Sequence, residues 1–252
     1  MNTEALLTAL GLPADSLVDQ RIPKKLLLEN GAPTVADKRH INEGIEELQW
    51  LAALKATTVG VPAFRDETRE YVEIAVLRLT LRTAAKAARI MELVHRAIPY
   101  PVLLLTEQTG RTGVSAAHKR WSQGEAGKMI LEDAVVAVEW DLARDGERWP
   151  AFREALAIGQ QPRTTLYALY QGWLDTLIAL NAAAVTGVFA LAANAGDATA
   201  RRIALQDCAR LETEIATLRA RAAKESQIKR QVEMNLQAQQ LQRQLDLCKK
   251  AL

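Results

Sequence analysis

Residues Tyr71–Leu81 read YVEIAVLRLTL, and the fold class turns on how this segment is covered. Alternation puts Val72, Ile74 and Val76 on one side of an extended chain and Tyr71, Ala75, Leu77 and Leu79 on the other. Both sides are largely apolar, as expected of a central strand buried on two faces. Downstream, Thr83–Ile98 carries a stripe at Ala87, Met91, Val94 and Ile98 and predicts a helix. Tyr100–Glu107, YPVLLLTE, is a second buried strand. A glycine-punctuated turn over Gln108–Gly113 leads into a more polar strand, VSAAHKRW (Val114–Trp121), and AVVAVEWDL (Ala134–Leu142) supplies one more.

Upstream, Thr34–Leu54 predicts one long helix. Pro33 precedes it, Thr34 and Asp37 form a start signal, and Ile41, Ile45, Leu48 and Ala52 fall on one face. Leu17–Pro33 reads as a short strand, a turn at Ile22–Pro23 and a short helix closed by Asn30–Gly31. TTVGVPAF (Thr57–Phe64) reads as a strand, and RDETRE (Arg65–Glu70) as its polar turn. The expected fold class is α/β, a mixed sheet with flanking helices, over residues 1–145.

Beyond Trp149 the pattern is helical, first WPAFREALA (Trp149–Ala157) and then Thr164–Val185. In the second, Tyr167, Tyr170, Trp173, Leu174 and Leu177 stand within packing distance, to dock on the sheet or on a partner. This region, 146–200, ends near a soft spot at Asn194–Ala200. From 201 to 252 a coiled-coil tail is expected. Ala204, Cys208, Leu211, Ile215, Leu218 and Ala222 alternate spacings of four and three, a heptad seam. The seam fails at Glu225 and Lys229, resumes through Ile228 and Val232, and closes on Leu241, Leu245, Cys248 and Leu252. One stripe is too apolar to stay solitary. The expectation is a dimer or partner contact through Leu211, Ile215, Leu218, Val232, Leu241 and Leu245; the alternative is a helix folded back on its own domain.

Charge narrows the function classes. Lys and Arg number 32 and Asp and Glu 30, so the net charge of +2 is too small for a bulk polyelectrolyte partner, and a nucleic-acid contact must use a local patch. Cys208 and Cys248 lack zinc-ligand spacing, so neither a metal nor a cofactor is expected. Two thiols in a polar segment and an N-terminus without a basic flank or long apolar run point to a cytoplasmic protein. The most apolar stretch, Leu177–Ala195, is interrupted by Asn181, Thr186, Gly187 and Asn194 and reads as a packed helix, not a membrane span.

The chemistry-bearing motifs are few. In SAAHKRWSQGEAGKM (Ser115–Met129), two residues separate Gly124 from Gly127, and Met129 stands where a phosphate loop needs a hydroxyl. It is not a nucleotide site. The run before it alternates His118 and Arg120 with Lys119 and Trp121, a combination that can hold backbone phosphate and stack a base. The competing reading is an edge strand with solvated charges and a buried Trp. RIPKK gathers Arg21, Lys24 and Lys25 around a turn, either for phosphate or as a solvated surface; lysines at a helix start are disfavoured without an anion. A nuclease would pair Asp66 with Glu73 and recruit Lys86 or Lys119, yet Ile74 and Ala75 follow Glu73 and the acid-x-lysine step is missing. Among His40, His95 and His118 no partner for a nucleophilic Ser or Cys is evident, and no nucleophile elbow exists.

Four phrases then stand together: RIPKKLLLENGAPTVADKRHINEGIEELQWLAALK, VGVPAFRDETREYVEIAVL, HRAIPYPVLLL and AHKRWSQGEAGK. They resemble a bacterial family catalogued only as a domain of unknown function, from about Leu17 to the C-terminus. The resemblance implies a role beside helicases and DNA methyltransferases in restriction-like, anti-phage islands, and it carries over no catalytic residue. The reading favoured is a non-enzymatic accessory subunit that contacts DNA, a helicase or a methyltransferase and assembles through its tail. A divergent metal-dependent nuclease and a protein-only adaptor are the alternatives.

Overall fold

A computed structural model describes residues 2–141 and 150–252, so the expected strand end at Leu142 and helix start at Trp149 lie outside the described residues. The chain divides into two units, Met1–Leu177 and Ile178–Leu252.

The first unit holds strands β1 (Leu17–Arg21), β2 (Ile45–Lys55), β3 (Phe64–Arg65), β4 (Glu70–Tyr71), β5 (Glu73–Leu81), β6 (Val102–Gln108), β7 (Arg111–Ala116), β8 (Lys119–Trp121), β9 (Met129–Leu131) and β10 (Val136–Asp141). Its helices are α1 (Thr3–Leu10), α2 (Lys24–Asn30), α3 (Val35–Gly44), α4 (Ala56–Val59), α5 (Ala87–Ala97), α6 (Pro150–Ala155) and the start of α7 (Leu166–Thr186). The main sheet runs β1-β2-β5-β6-β7-β10, with two small hairpins, β3-β4 and β8-β9, beside it. Among the described residues only β5 and β6 pair in parallel, with α5 as the crossover. The expected α/β class with a mixed sheet is what forms.

β5 sits inside the sheet as its two apolar faces require. Ala75, Leu77, Leu79 and Leu81 pack with Leu27 of α2, Ile41 of α3 and Ile90, Met91 and Val94 of α5. Ile74 and Val76, which point the other way, are equally buried. Burying a side chain of this size contributes roughly 1.5–3 kcal/mol, so this strand is the main apolar anchor of the unit.

The long helix expected over Thr34–Leu54 is two elements. Thr34 caps α3 by accepting the Asp37 amide at 3.1 Å, but the helix ends at Gly44 and β2 begins at Ile45. β2 carries two bulges, between Ile45 and Glu47 and between Trp50 and Ala52. A bulge shifts the side-chain phase by one residue. Ile45 and Leu48 therefore face the same core as Trp50, whereas Ala52 pairs with Val76 and faces the other side. Ile45 and Leu48 on one face and Ala52 on the other are all buried, so the apolar positions read at spacings of three and four although they line two faces, which is how this strand imitates a helical stripe.

Three other expectations are corrected locally. TTVGVPAF is not a strand: Ala56–Val59 makes one helical turn, with the Lys55 amide donating to Thr58 Oγ1 at 2.9 Å, and Gly60 ends it at φ 64°. The turn over Gln108–Gly113 is shorter, just Thr109 and Gly110 at φ 45° and 77°. Both lie in the left-handed region that a tight two-residue hairpin needs. VSAAHKRW is not one polar strand: Val114–Ala117 is buried, and β8 belongs to a separate hairpin with β9.

The start of α7, up to Leu177, docks on the sheet. Tyr170 donates its hydroxyl proton to the Val102 carbonyl at 2.7 Å, and Trp173 donates to the Leu156 carbonyl at 2.8 Å; both rings are fully buried. Among the described residues no helix is long and apolar enough to cross a membrane.

The second unit contains α8 (Ala195–Ala222) and α9 (Ile228–Lys250). They form an antiparallel hairpin: Cys248 Sγ approaches the Ala204 carbonyl at 3.5 Å, Arg219 donates to Gln242 at 3.3 Å, and Gln231 donates to the Ala222 carbonyl at 3.3 Å. Cys208, Leu211, Ile215 and Leu245 make the seam, joined by Leu241, Cys248 and Leu252. The sequence break at Glu225–Lys229 is the reversal point. The expected contact residues Leu211, Ile215 and Leu245 are thus buried by their own chain, Leu218 and Leu241 are half-buried, and Val232 lies exposed.

Candidate anion-binding site

The lysines of the two basic motifs are placed by helix ends. An α-helix leaves its last carbonyls without backbone donors, and they carry the negative end of the macrodipole. Lys119 is fully buried, and its ammonium donates to the His95 carbonyl at 2.5 Å and to the Ile98 carbonyl, at the end of α5. Burial pushes its pKa down to about 7. Lys24 does the same for α3, donating to the Asn42 carbonyl at 3.2 Å and the Ile45 carbonyl at 2.5 Å. This is how a lysine at the start of α2 escapes the unfavourable helix N-terminus: its amine reaches the C-terminus of a neighbouring helix.

His118 is equally committed. It stacks on Tyr167 with ring centroids 5.0 Å apart, and its Nε2 donates to Gln171 Oε1 at 2.7 Å. Gln171 in turn donates to Asp175 at 2.8 Å. His118 Nδ1 is left as acceptor for the Tyr71 hydroxyl at 2.5 Å, so the ring is neutral, and burial holds its pKa below the usual value. Arg120 and Trp121 are half-buried on the β8-β9 hairpin, and Arg120 makes no ion pair among the described residues. Lys119 and Trp121 do alternate with His118 and Arg120, but the Lys119 face points into the protein. Lys119 is therefore out of reach of a phosphate, contrary to the expectation from the run.

The two carboxylates of the nuclease reading are apart in role. Asp66 closes the β3-β4 turn, its Oδ1 accepting the Thr68 and Arg69 amides at 2.8 and 2.6 Å. Glu73 is buried and pairs with Lys55 at 3.1 Å, the residue opposite it in the β2-β5 ladder. Among the described residues no three His, Cys, Asp or Glu side chains cluster closely enough to hold a metal ion.

What the fold does assemble is a group of cations at one end of the sheet. The end of β1, the start of β2, the ends of β5 and β6 and the start of β7 all lie there, as the pairing register requires. Besides burial, the charges of Arg82 and Arg21 push the Lys24 pKa down, so three cations share one neighbourhood. Arg21 has a loose ion pair with Glu47 at 3.8 Å, while Lys25 pairs with Glu29 at 3.7 Å on the outside of α2. Arg82 also lines a cleft of about 540 Å³ with Arg111, Thr83, Thr112, Glu46 and Glu107. Among the described residues neither Arg82 nor Arg111 makes an ion pair. The loop carrying Arg82 is rigidly held: Gln108 Nε2 donates to the carbonyls of Arg82, Thr83 and Ala85 at 3.0, 3.2 and 2.9 Å.

The rim is not uniformly basic, because Glu46 and Glu107 stand between the arginines. Its cationic side is that of Arg21, Lys24 and Arg82. Of these, sequence reasoning found Arg21 and Lys24 in RIPKK and missed Arg82, Arg111 and the cleft. The available signal was an arginine directly after the central strand, since ligands of open α/β sheets gather at the carboxyl ends of parallel strands.

Neither a curated protein nor a solved structure matches this chain. Residues 10–245 match the family described as Domain of unknown function (DUF4391), and the chain belongs to that family.

Proposed function

We propose that the protein is a non-enzymatic accessory subunit that holds a polyanionic backbone, DNA in the first place, at the end of its sheet. The observation that carries this is the Arg21, Lys24 and Arg82 group, where like charges raise one another's cost and Arg82 has no carboxylate partner among the described residues. A phosphate placed there offsets that repulsion. Arg120 and Trp121 remain as a second contact, a cation beside an aromatic face. The setting beside helicases and DNA methyltransferases in anti-phage defence, implied by the family resemblance, belongs to this same proposal, as does assembly through the helical hairpin. The nuclease alternative gains no support from Asp66 and Glu73, whose carboxylates already serve a turn and a cross-strand pair.

The test is binding to labelled duplex DNA at increasing salt. Each phosphate contact contributes about −0.9 to the slope of log affinity against log salt. The Arg21→Ala/Arg82→Ala variant is expected to bind more weakly and with a slope shallower by about 2. Absence of salt-sensitive binding in the parent chain rejects the DNA reading and favours the protein-only adaptor.

A further inference from the structure

We propose that the outer face of α9 is a docking surface for an acidic amphipathic helix of a partner protein. The inference deepens the accessory-subunit reading and rests on it, but it concerns a different part of the chain from the DNA contact. Positions 228, 232, 236, 239, 243, 247 and 250 are spaced 4, 4, 3, 4, 4 and 3. An eleven-residue repeat of this kind keeps one line along a helix. Four of these positions are large and apolar, and all four are open to solvent: Ile228 at 77%, Val232 at 50%, Leu236 at 54% and Leu247 at 68%. The opposite face of α9, with Ala238, Leu241, Leu245 and Cys248, is already spent against α8. A surface helix needs one apolar stripe to hold it down; α9 carries two. α8, its partner in the hairpin, has a single exposed large apolar side chain, Ile203.

Charge selects the occupant. Arg243 and Lys250 stand in the apolar line and Lys229 at its edge, with Asp246 the nearest carboxylate; Arg230 and Lys249 point away from it. Lys249 is taken by Glu212 at 2.7 Å, whereas Lys229, Arg243 and Lys250 make no ion pair among the described residues. A second copy of the chain would set this cationic face against itself. Duplex DNA would satisfy the cations and leave four apolar side chains wet. A membrane surface would meet no aromatic anchor, and a seam interrupted by Gln239 and Arg243. A helix with its own apolar seam and glutamates or aspartates along the flanks satisfies both features at once.

The probe is a pair of labelled synthetic helical peptides with the same leucine seam at 4, 4, 3 spacing, one flanked by glutamates and the other by lysines, titrated with the full chain. The glutamate peptide is expected to bind at least about tenfold more tightly than its lysine twin, at affinities where flanking charge decides specificity. Val232→Glu/Leu236→Glu should abolish that preference while leaving helicity by circular dichroism unchanged, since both side chains are exposed, and Val232→Ile should retain it. Equal binding of the two peptides, or binding of neither, overturns the proposal. So does a dimer in light scattering that Val232→Glu/Leu236→Glu dissolves, which would make the occupant a second copy. Capture by phosphatidylserine vesicles that the same variant loses would overturn it in favour of a membrane. DNA binding, measured alongside, is expected to be unaffected by these α9 substitutions, which keeps failure of this surface distinct from failure of the DNA reading.

Discussion

Lys119 in the sheet unit and Lys229 in the helical hairpin are the same residue type in opposite circumstances. Lys119 is fully buried and feeds two backbone carbonyls at the end of α5; Lys229 is exposed at the start of α9 without an ion pair among the described residues. The difference follows from architecture. Helices that end inside a sheet protein leave carbonyls in a dry place, and the fold draws cations inward to satisfy them. A long helical hairpin satisfies almost all of its backbone along its own axis, so its charged side chains stay outside, available to a partner. Lysines of the basic motifs in the first unit thus serve helix ends, as Lys24 and Lys119 do, whereas Lys229 in the second unit stays outside.

The strongest way to break this comparison is to perturb the packing of each region in turn. Leu77→Ala, in the fully buried central strand, is expected to cost about 2–5 kcal/mol in denaturant unfolding. Leu236→Ala, on the outer face of α9, should stay within about 0.5 kcal/mol, and a loss like that of Leu77 would mean that the α9 face is already covered.

Next in size is a pH effect led by the buried lysine; Lys24, also pushed down by burial, adds to it, and Cys208, pushed up by burial, opposes it at the alkaline end. The Lys119 pKa, about 7 in the folded protein, lies below the unfolded value of roughly 10.4. Between those values the unfolded chain holds more protons, so folding stability should rise with pH from 7 to 10, by up to about 1.4 kcal/mol per unit; the penalty is in full force below pH 7. Lys119→Met should flatten that rise in unfolding curves taken across the range. A slope that survives Lys119→Met would place the titration elsewhere.

A smaller effect sharpens the picture of the sheet end. Glu107 stands on the cleft rim beside Arg82 and Arg111, so Glu107→Gln should strengthen DNA binding a few-fold, by less than about 1 kcal/mol. Weaker binding in that variant would mean that the carboxylate positions the arginines instead of repelling the phosphate.

The sheet was largely legible because β5 and β6 are apolar on both faces, a pattern that no exposed element shares. β2 was not, because its two bulges convert alternation into helix-like spacing, and a bulge is fixed by pairing with β5, which a single segment does not encode. The tail was half legible. Its seam holds at Cys208, Leu211, Ile215, Leu241, Leu245, Cys248 and Leu252 but not at Ile228 and Val232, which are exposed; the polar break at Glu225–Lys229 could mark either an interruption or a reversal, and only packing of Leu211 and Ile215 on Leu245 decides. The site was the least legible part. Lys119 looked like a ligand cation because sequence does not reveal which helix ends lie within reach of an amine; Lys24 caps a helix end in the same way, but its charge still adds to that of Arg21 and Arg82. Arg82 was overlooked because its importance comes from Arg21 and Lys24 arriving beside it from a distant strand and helix.

The most direct test of the account is one salt titration of duplex DNA binding on three proteins: the parent chain, Arg21→Ala/Arg82→Ala, and Val232→Glu/Leu236→Glu. The account predicts a steep salt dependence in the parent, a shallower one with reduced affinity in the arginine variant, and an unchanged curve in the α9 variant. Three superimposed curves, or a loss confined to the α9 variant, would contradict it and remove the sheet end as the anion site.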